Sequence, residues 1–120
     1  MLNLDTHILV ASLIGDLTPR ELKLLTHQNL AISDIVLWEL AKLVERGRLV
    51  MDLDSVAFRR TLRHLAVIPI TIQIARQSTR LDFKADPADE IIAATSIVER
   101  IPLLTRDRQI LKSRMVPFPK

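Results

Sequence analysis

The sequence predicts an α/β fold, a single domain spanning residues 1–120 with a central, mostly parallel sheet of four or five strands flanked by helices. Three observations point there. The chain opens on an apolar, strand-like run, Met1-Leu2-Asn3-Leu4-Asp5, followed by helical patterns. Further short apolar runs recur at helix-length intervals, which is the spacing of strand–helix–strand units and too wide for hairpins. Most of the intervening helices announce themselves with a capping residue, and two of them with a proline in the first turn.

Taken in order, Met1–Asp5 reads as the central strand, delivering Asp5 to the sheet edge where ligands of such folds bind. Taken alone, Asp5 equally reads as the N-cap of the helix that follows. Ile8–Ile14 is a short apolar helix that Gly15 can end. Thr18-Pro19-Arg20-Glu21 has the form of a capping box with proline at the first helical position, and a helix of about ten residues should follow. Leu30-Ala31-Ile32 is the second strand. Ser33 then caps a helix that Gly47 stops after Arg46. Asp54 or Ser55 opens another, with Val56, Leu62 and Leu65 inward and Arg59, Arg60 and Arg63 outward.

Ala66-Val67-Ile68 is the third strand, closed by Pro69, and Thr71 caps a helix to about Arg80. Leu81–Ala85 is a loop. Asp86-Pro87-Ala88-Asp89 repeats the cap-then-proline pattern at the head of a helix running to about Arg100, in which Ala93-Ala94 permits close approach to the sheet. Pro102 introduces the fourth strand, Leu103-Leu104-Thr105, ending near Asp107. A short helix through Leu111 and a last strand, Met115-Val116, complete the domain.

Composition removes several function classes. The absence of cysteine excludes disulfides, thiolate metal sites and a cysteine nucleophile. Two glycines, Gly15 and Gly47, cannot form a phosphate-cradling glycine-rich loop. No apolar run approaches the roughly 20 residues of a bilayer crossing, and no leader opens the chain, so a cytoplasmic protein with no membrane partner is expected. If four of the 14 acids gather at one site, 10 remain against 17 Lys and Arg elsewhere. Acids gathered and bases spread suit a polyanion that approaches a metal, although a mildly basic solvated surface has the same composition.

The acids can converge. Right-handed crossovers place helix N-termini at the same edge as strand C-termini. Asp107 lies just past the fourth strand; if that strand neighbours the first, the two ends are about 4.8 Å apart in the pairing direction. Asp89, in the first turn of its helix, faces the same edge. Glu39 is the only charge in Ile35-Val36-Leu37-Trp38-Glu39-Leu40-Ala41, a run apolar enough to be buried, where an ionised carboxylate needs a partner or a cation. An ordinary pair with Lys42 is the competing reading. Oxygen ligands alone select Mg²⁺ or Mn²⁺ over zinc. His27 and His64 read as surface residues, and His7 as a local hydrogen-bonding residue that can line the site.

With these positions assembled, the chain resembles a PIN-domain ribonuclease of the VapC toxin type. Leu4-Asp5-Thr6-His7 resembles the opening motif and Ser33 through Glu39-Leu40 the second. Asp86-Pro87-Ala88-Asp89 with Ile91-Ile92-Ala93-Ala94-Thr95 resembles the third, and Leu104-Thr105-Arg106-Asp107 the fourth. The resemblance spans essentially the whole chain. It implies a three-layer PIN-like fold and a four-acid Mg²⁺ or Mn²⁺ site at Asp5, Glu39, Asp89 and Asp107. It further implies endonucleolytic cleavage of RNA, a cognate VapB-like antitoxin, and a homodimer formed through the early helices. Many relatives carry arginine after the third acid, where this chain has Glu90.

Thr6, Ser33 and Thr105 can hydrogen-bond the acids or metal-bound waters, and Arg106 and Arg108 can hold the RNA backbone. Asp86 reads as a plain N-cap. Competing readings are a catalytically silent PIN-like module that binds RNA or protein, a housekeeping PIN nuclease, and a metal-dependent phosphatase or receiver-type phosphoacceptor domain. The last lacks a second Asp two positions after Asp5 and a Lys after a late strand.

Overall fold

Parallel strands demand a crossover, and here each is made by helices. The computed structural model describes all 120 residues, Met1–Lys120. Strands β1 (Leu2–Leu4), β2 (Leu30–Ser33), β3 (Leu65–Ile68) and β4 (Leu103–Leu104) pair in the order β3-β2-β1-β4, every pair parallel. The helices are α1 (Thr6–Ile14), α2 (Pro19–Thr26), α3 (Ile35–Glu45), α4 (Val56–Arg63), α5 (Ile72–Ser78), α6 (Pro87–Glu99) and α7 (Arg108–Leu111). No helix is long and apolar enough to cross a membrane.

Local chemistry sets most boundaries. The capping box is complete: the Glu21 N–H donates to Thr18 Oγ1 at 3.2 Å and the Thr18 N–H to Glu21 Oε1 at 2.9 Å. Ser55 and Thr71 cap α4 and α5 by accepting from Phe58 N and Ile74 N. Gly15 ends α1 with φ of 75°, a conformation that a side chain would strain.

The core joins both faces of the sheet. Leu2, Leu4, Ile32, Leu103 and Leu104 meet Ile8 and Leu9 of α1, Val36 and Leu40 of α3, and Ile92 and Ala93 of α6. Asn3 is the one polar residue in this strand interior. It is fully buried, and its Nδ2 donates to Ser96 Oγ at 2.9 Å and Ile92 O at 3.3 Å, which ties β1 to α6.

Several expectations need correction. The strand ends on Ser33, so Asp34 and not Ser33 occupies the N-cap position of α3; Ser33 Oγ still accepts from Ile35 N at 3.3 Å. Met115-Val116 is not a strand, because Ser113 Oγ turns this segment by accepting from both of its N–H groups. Its one tie to the sheet edge is the bond from Leu103 N to Pro117 O at 2.9 Å. Val56 points outward at 71% exposure and Leu65 belongs to β3; the buried anchor of α4 is Phe58. The apolar run of α3 is not wholly buried either. Trp38 is 54% exposed.

Candidate active site

The order of the sheet settles the first question, because β4 lies beside β1 and the Asp5 N–H donates to Leu104 O at 3.1 Å. Asp5 and Asp107 therefore leave neighbouring strands at one edge. Asp5 is buried; its Oδ1 accepts from Thr6 N at 2.8 Å and its Oδ2 from Thr105 Oγ1 at 2.6 Å. It is thus both the cap of α1 and a member of the edge cluster, and the two readings of this residue are compatible.

Glu39 reaches the same place from α3. Thr6 Oγ1 donates to Glu39 Oε1 in a short hydrogen bond. The competing partner, Lys42, instead pairs with Glu45 at 3.3 Å and lies 5.9 Å from the centre of the Trp38 ring. Burial pushes the Glu39 carboxyl above the usual range, the Thr6 bond opposes this, and the negative charge of Asp5 adds to it.

Asp89, in the first turn of α6, carries the clearest electrostatic signature. Burial pushes its carboxyl from 3.8 up to about 7, and the charges of Asp5, Glu39, Asp107 and Asp86 push the same way. Four acids from four separate parts of the chain therefore share one field. Asp86 sits at the N-cap position of α6 but makes no capping bond, so it contributes charge to the site in place of the plain cap expected. Glu90 turns away; its Oε2 accepts from Ala85 N at 3.4 Å, and it lines a separate cavity with Phe83.

Three of the four acids border a cavity of about 340 Å³ lined by Asp5, Thr6, His7, Val10, Glu39, Leu43, Arg48 and Asp89; Asp107 lies outside this lining. A larger cleft of about 630 Å³ lies at the opposite edge, by Met1 and Thr26–Asn29, and no carboxylate lines it. Chemistry, not volume, marks the site.

The donor set fits a hard cation: carboxylates only, and no Lys or Arg within ion-pair distance of Asp5, Glu39, Asp89 or Asp107. It is not a ready-made coordination shell, however. No three Asp, Glu or His side chains are drawn up around a common point. The reason is visible in their bonds. Both Asp5 oxygens are engaged, and Asp107 Oδ1 caps α7 by accepting from Gln109 N at 2.8 Å and Ile110 N at 3.2 Å. Uncompensated like charges also hold one another apart.

The supporting residues divide. Thr6 and Thr105 bond acids directly, whereas Ser33 is fully buried and its hydroxyl serves Ile35 N. His7 Nε2 accepts from Arg106 N at 2.8 Å and its Nδ1 lies 3.7 Å from Asp5 Oδ2, so it orders the edge loop as well as lining the cavity. Arg106 is not a free hand for phosphate. Its guanidinium donates to both Glu21 oxygens at 2.7 and 2.9 Å and to Asp16 O at 2.8 Å. Arg108 is exposed and outside the cavity lining. Arg48, which lines it, has no signal in the sequence beyond following Gly47.

Comparison with known proteins gives this geometry a lineage. The family profile described as "PIN domain" matches residues 3–114. The chain belongs to the PIN-domain family. This PIN domain is 34% identical over 94 residues to Ribonuclease VapC22 of Mycobacterium tuberculosis, an alignment covering 76% of this chain and 72% of that one. Among solved structures, the fold is shared with a toxin-antitoxin complex from Klebsiella pneumoniae. The TM-score there is 0.71 at 24% identity, over 93% of this chain and 91% of the other. It is shared also with VapBC2 from Rickettsia felis bound to a DNA fragment from their promoter, at TM-score 0.72 and 19% identity over 99% and 98%.

Proposed function

We propose that this PIN domain is a divalent-metal-dependent endoribonuclease of the VapC type, the toxin of a toxin–antitoxin pair, which hydrolyses RNA phosphodiester bonds at the acid-lined cavity. The observation that carries the reading is the mutual field of Asp5, Glu39, Asp89 and Asp107, strong enough to help push Asp89 up to about 7, with no Lys or Arg within ion-pair distance and only His7 beside Asp5. Such a cluster is tolerable in a folded protein when a hard cation joins it. The kinship with a ribonuclease supplies the reaction class.

Asp5, Glu39, Asp89 and Asp107 would hold Mg²⁺ or Mn²⁺, which when bound polarises a phosphate oxygen and makes a water nucleophilic near neutral pH. The chain's own contribution is preparation. Thr105 fixes the Asp5 carboxylate and Thr6 fixes that of Glu39, so two acids keep their orientation before substrate arrives. Glu39, whose proton affinity is raised, orients the attacking water with the oxygen that Thr6 leaves free and is suited to share its proton.

A cognate VapB-like antitoxin and a second copy of the chain are the proposed protein partners. Supporting both are apolar side chains left in solvent on the early helices and the loop beyond them: Ile14 at 62%, Trp38 at 54% and Val50 fully exposed. The test of the enzyme reading is cleavage of single-stranded RNA by purified protein with Mg²⁺ or Mn²⁺. Asp5→Asn and Asp89→Asn should each abolish it; cleavage undiminished in Asp89→Asn would remove the cluster from the chemistry.

A further inference from the structure

Arg48 is a cation beside three carboxylates that pairs with none of them. It lines the cavity with Asp5, Glu39 and Asp89, yet no carboxylate lies within 4.0 Å of its guanidinium, and that group makes no hydrogen bond. Of the other arginines near this edge, Arg106 is bonded to Glu21 and Asp16, and Arg108 is exposed outside the cavity lining.

The position of Arg48 is set by the way α3 ends. Gly47 takes φ of 70°, its N–H donates to Val44 O at 3.1 Å, and the Arg48 N–H donates to Leu43 O at 2.9 Å. These are the two bonds of a Schellman turn, which folds the chain back over the last turn of its helix. Glu39 and Leu43, one turn apart on α3, line the same cavity, so the turn sets Arg48 at the end of the row they begin. A hydrogen-bonded turn thus carries an exposed, unpaired guanidinium at the mouth of the acidic hollow.

We infer that Arg48 is the residue that receives the RNA backbone at this site, its guanidinium gripping a phosphate next to the one to be cleaved. The inference rests on the nuclease reading and deepens it. A guanidinium matches two phosphate oxygens at once, and a side chain not already paired has no bond to break before it engages. RNA is favoured over an acidic peptide because a peptide's carboxylates would be set against Asp5, Glu39 and Asp89 with nothing to offset them, whereas a phosphodiester arrives where a divalent ion is to be bound.

The test is binding of a fluorescein-labelled single-stranded RNA of mixed sequence, followed by anisotropy across a salt series in EDTA, with cleavage assayed in parallel in Mn²⁺. Arg48→Ala should weaken binding about tenfold and lower the slope of log affinity against log salt by about one. Arg48→Lys should restore the slope but only part of the affinity, and the melting temperature should not change in either variant. Gly47→Ala, which strains the turn without touching the charge, should weaken binding as well. Arg59→Ala, on the exposed face of α4, is the control for general surface charge. An Arg48→Ala slope equal to the wild type, or an effect no larger than that of Arg59→Ala, overturns the inference. RNA bound through Arg48 but never cleaved would keep the inference and defeat the nuclease reading; cleavage with an unchanged KM in Arg48→Ala would do the reverse.

Discussion

Thr105 and Asp5, a hundred residues apart in the chain, are joined by a hydrogen bond of 2.6 Å from Thr105 Oγ1 to Asp5 Oδ2. The same hydroxyl oxygen accepts from the Asp107 N–H at 3.0 Å, so one side chain spans two of the site's acids. Thr105→Val keeps the shape and removes both bonds around a buried carboxylate. It should destabilise the fold by about 1–3 kcal/mol, read from urea denaturation, while Thr105→Ser recovers most of the loss.

Asp89 links the site to pH. Its carboxyl titrates at about 7 in the native protein against an ordinary 3.8, so the native state holds the proton more tightly than the unfolded chain. Stability from this group is therefore present at acid pH and lost as pH rises from about 4 to 7. In EDTA, the melting temperature of the wild type relative to Asp89→Asn should fall through that window and flatten above it. A difference independent of pH would show that Asp89 is not in the shared field.

Arg106 makes the opposite prediction. Its fork bonds hold the buried Glu21 carboxyl down at about 2 from an ordinary 4.5. A depressed acid stabilises above its unfolded pKa and loses that contribution as pH falls through the window to about 2. Arg106→Ala should cost about 1 kcal/mol near neutral pH, because the Thr18 bonds to Glu21 remain and the guanidinium is partly in solvent, and progressively less below about pH 4.5, measured by melting across pH. RNA affinity at equal folded fraction should be unchanged.

Asn3 separates packing from polarity. Its Nδ2 is bonded to α6, but its Oδ1 is buried without a partner. Asn3→Leu trades an amide with one unsatisfied oxygen for a side chain of similar size, and should stay within about 1 kcal/mol of the wild type by urea denaturation. Asn3→Asp, which buries an unpaired charge, should be strongly destabilising.

The sequence makes the scaffold legible where the governing interaction is local. Caps at Thr18, Ser55 and Thr71 and the proline at residue 87 mark helix starts within a residue or two, because each acts on N–H groups one turn away. The placement of Asp5, Asp89 and Asp107 at one sheet edge is legible through topology, since parallel strands and right-handed crossovers leave few arrangements. Long-range pairing is not legible. Nothing near Arg106 says that Glu21, 85 positions away, will take its donors, and nothing near Arg48 says that its nearest acids will leave it free. The outward face of Trp38 is hidden for another reason: an apolar helix reads the same whether its faces pack on its own sheet or wait for another chain.

The central claim is that these acids make one site completed by a divalent ion, and calorimetric titration of Mn²⁺ into the metal-free protein near pH 8 tests it most directly. Saturable binding that is lost in Asp5→Asn and in Asp89→Asn, while both variants remain folded at the titration temperature by circular dichroism, is the expected result. Titration heats unchanged by either substitution would contradict it.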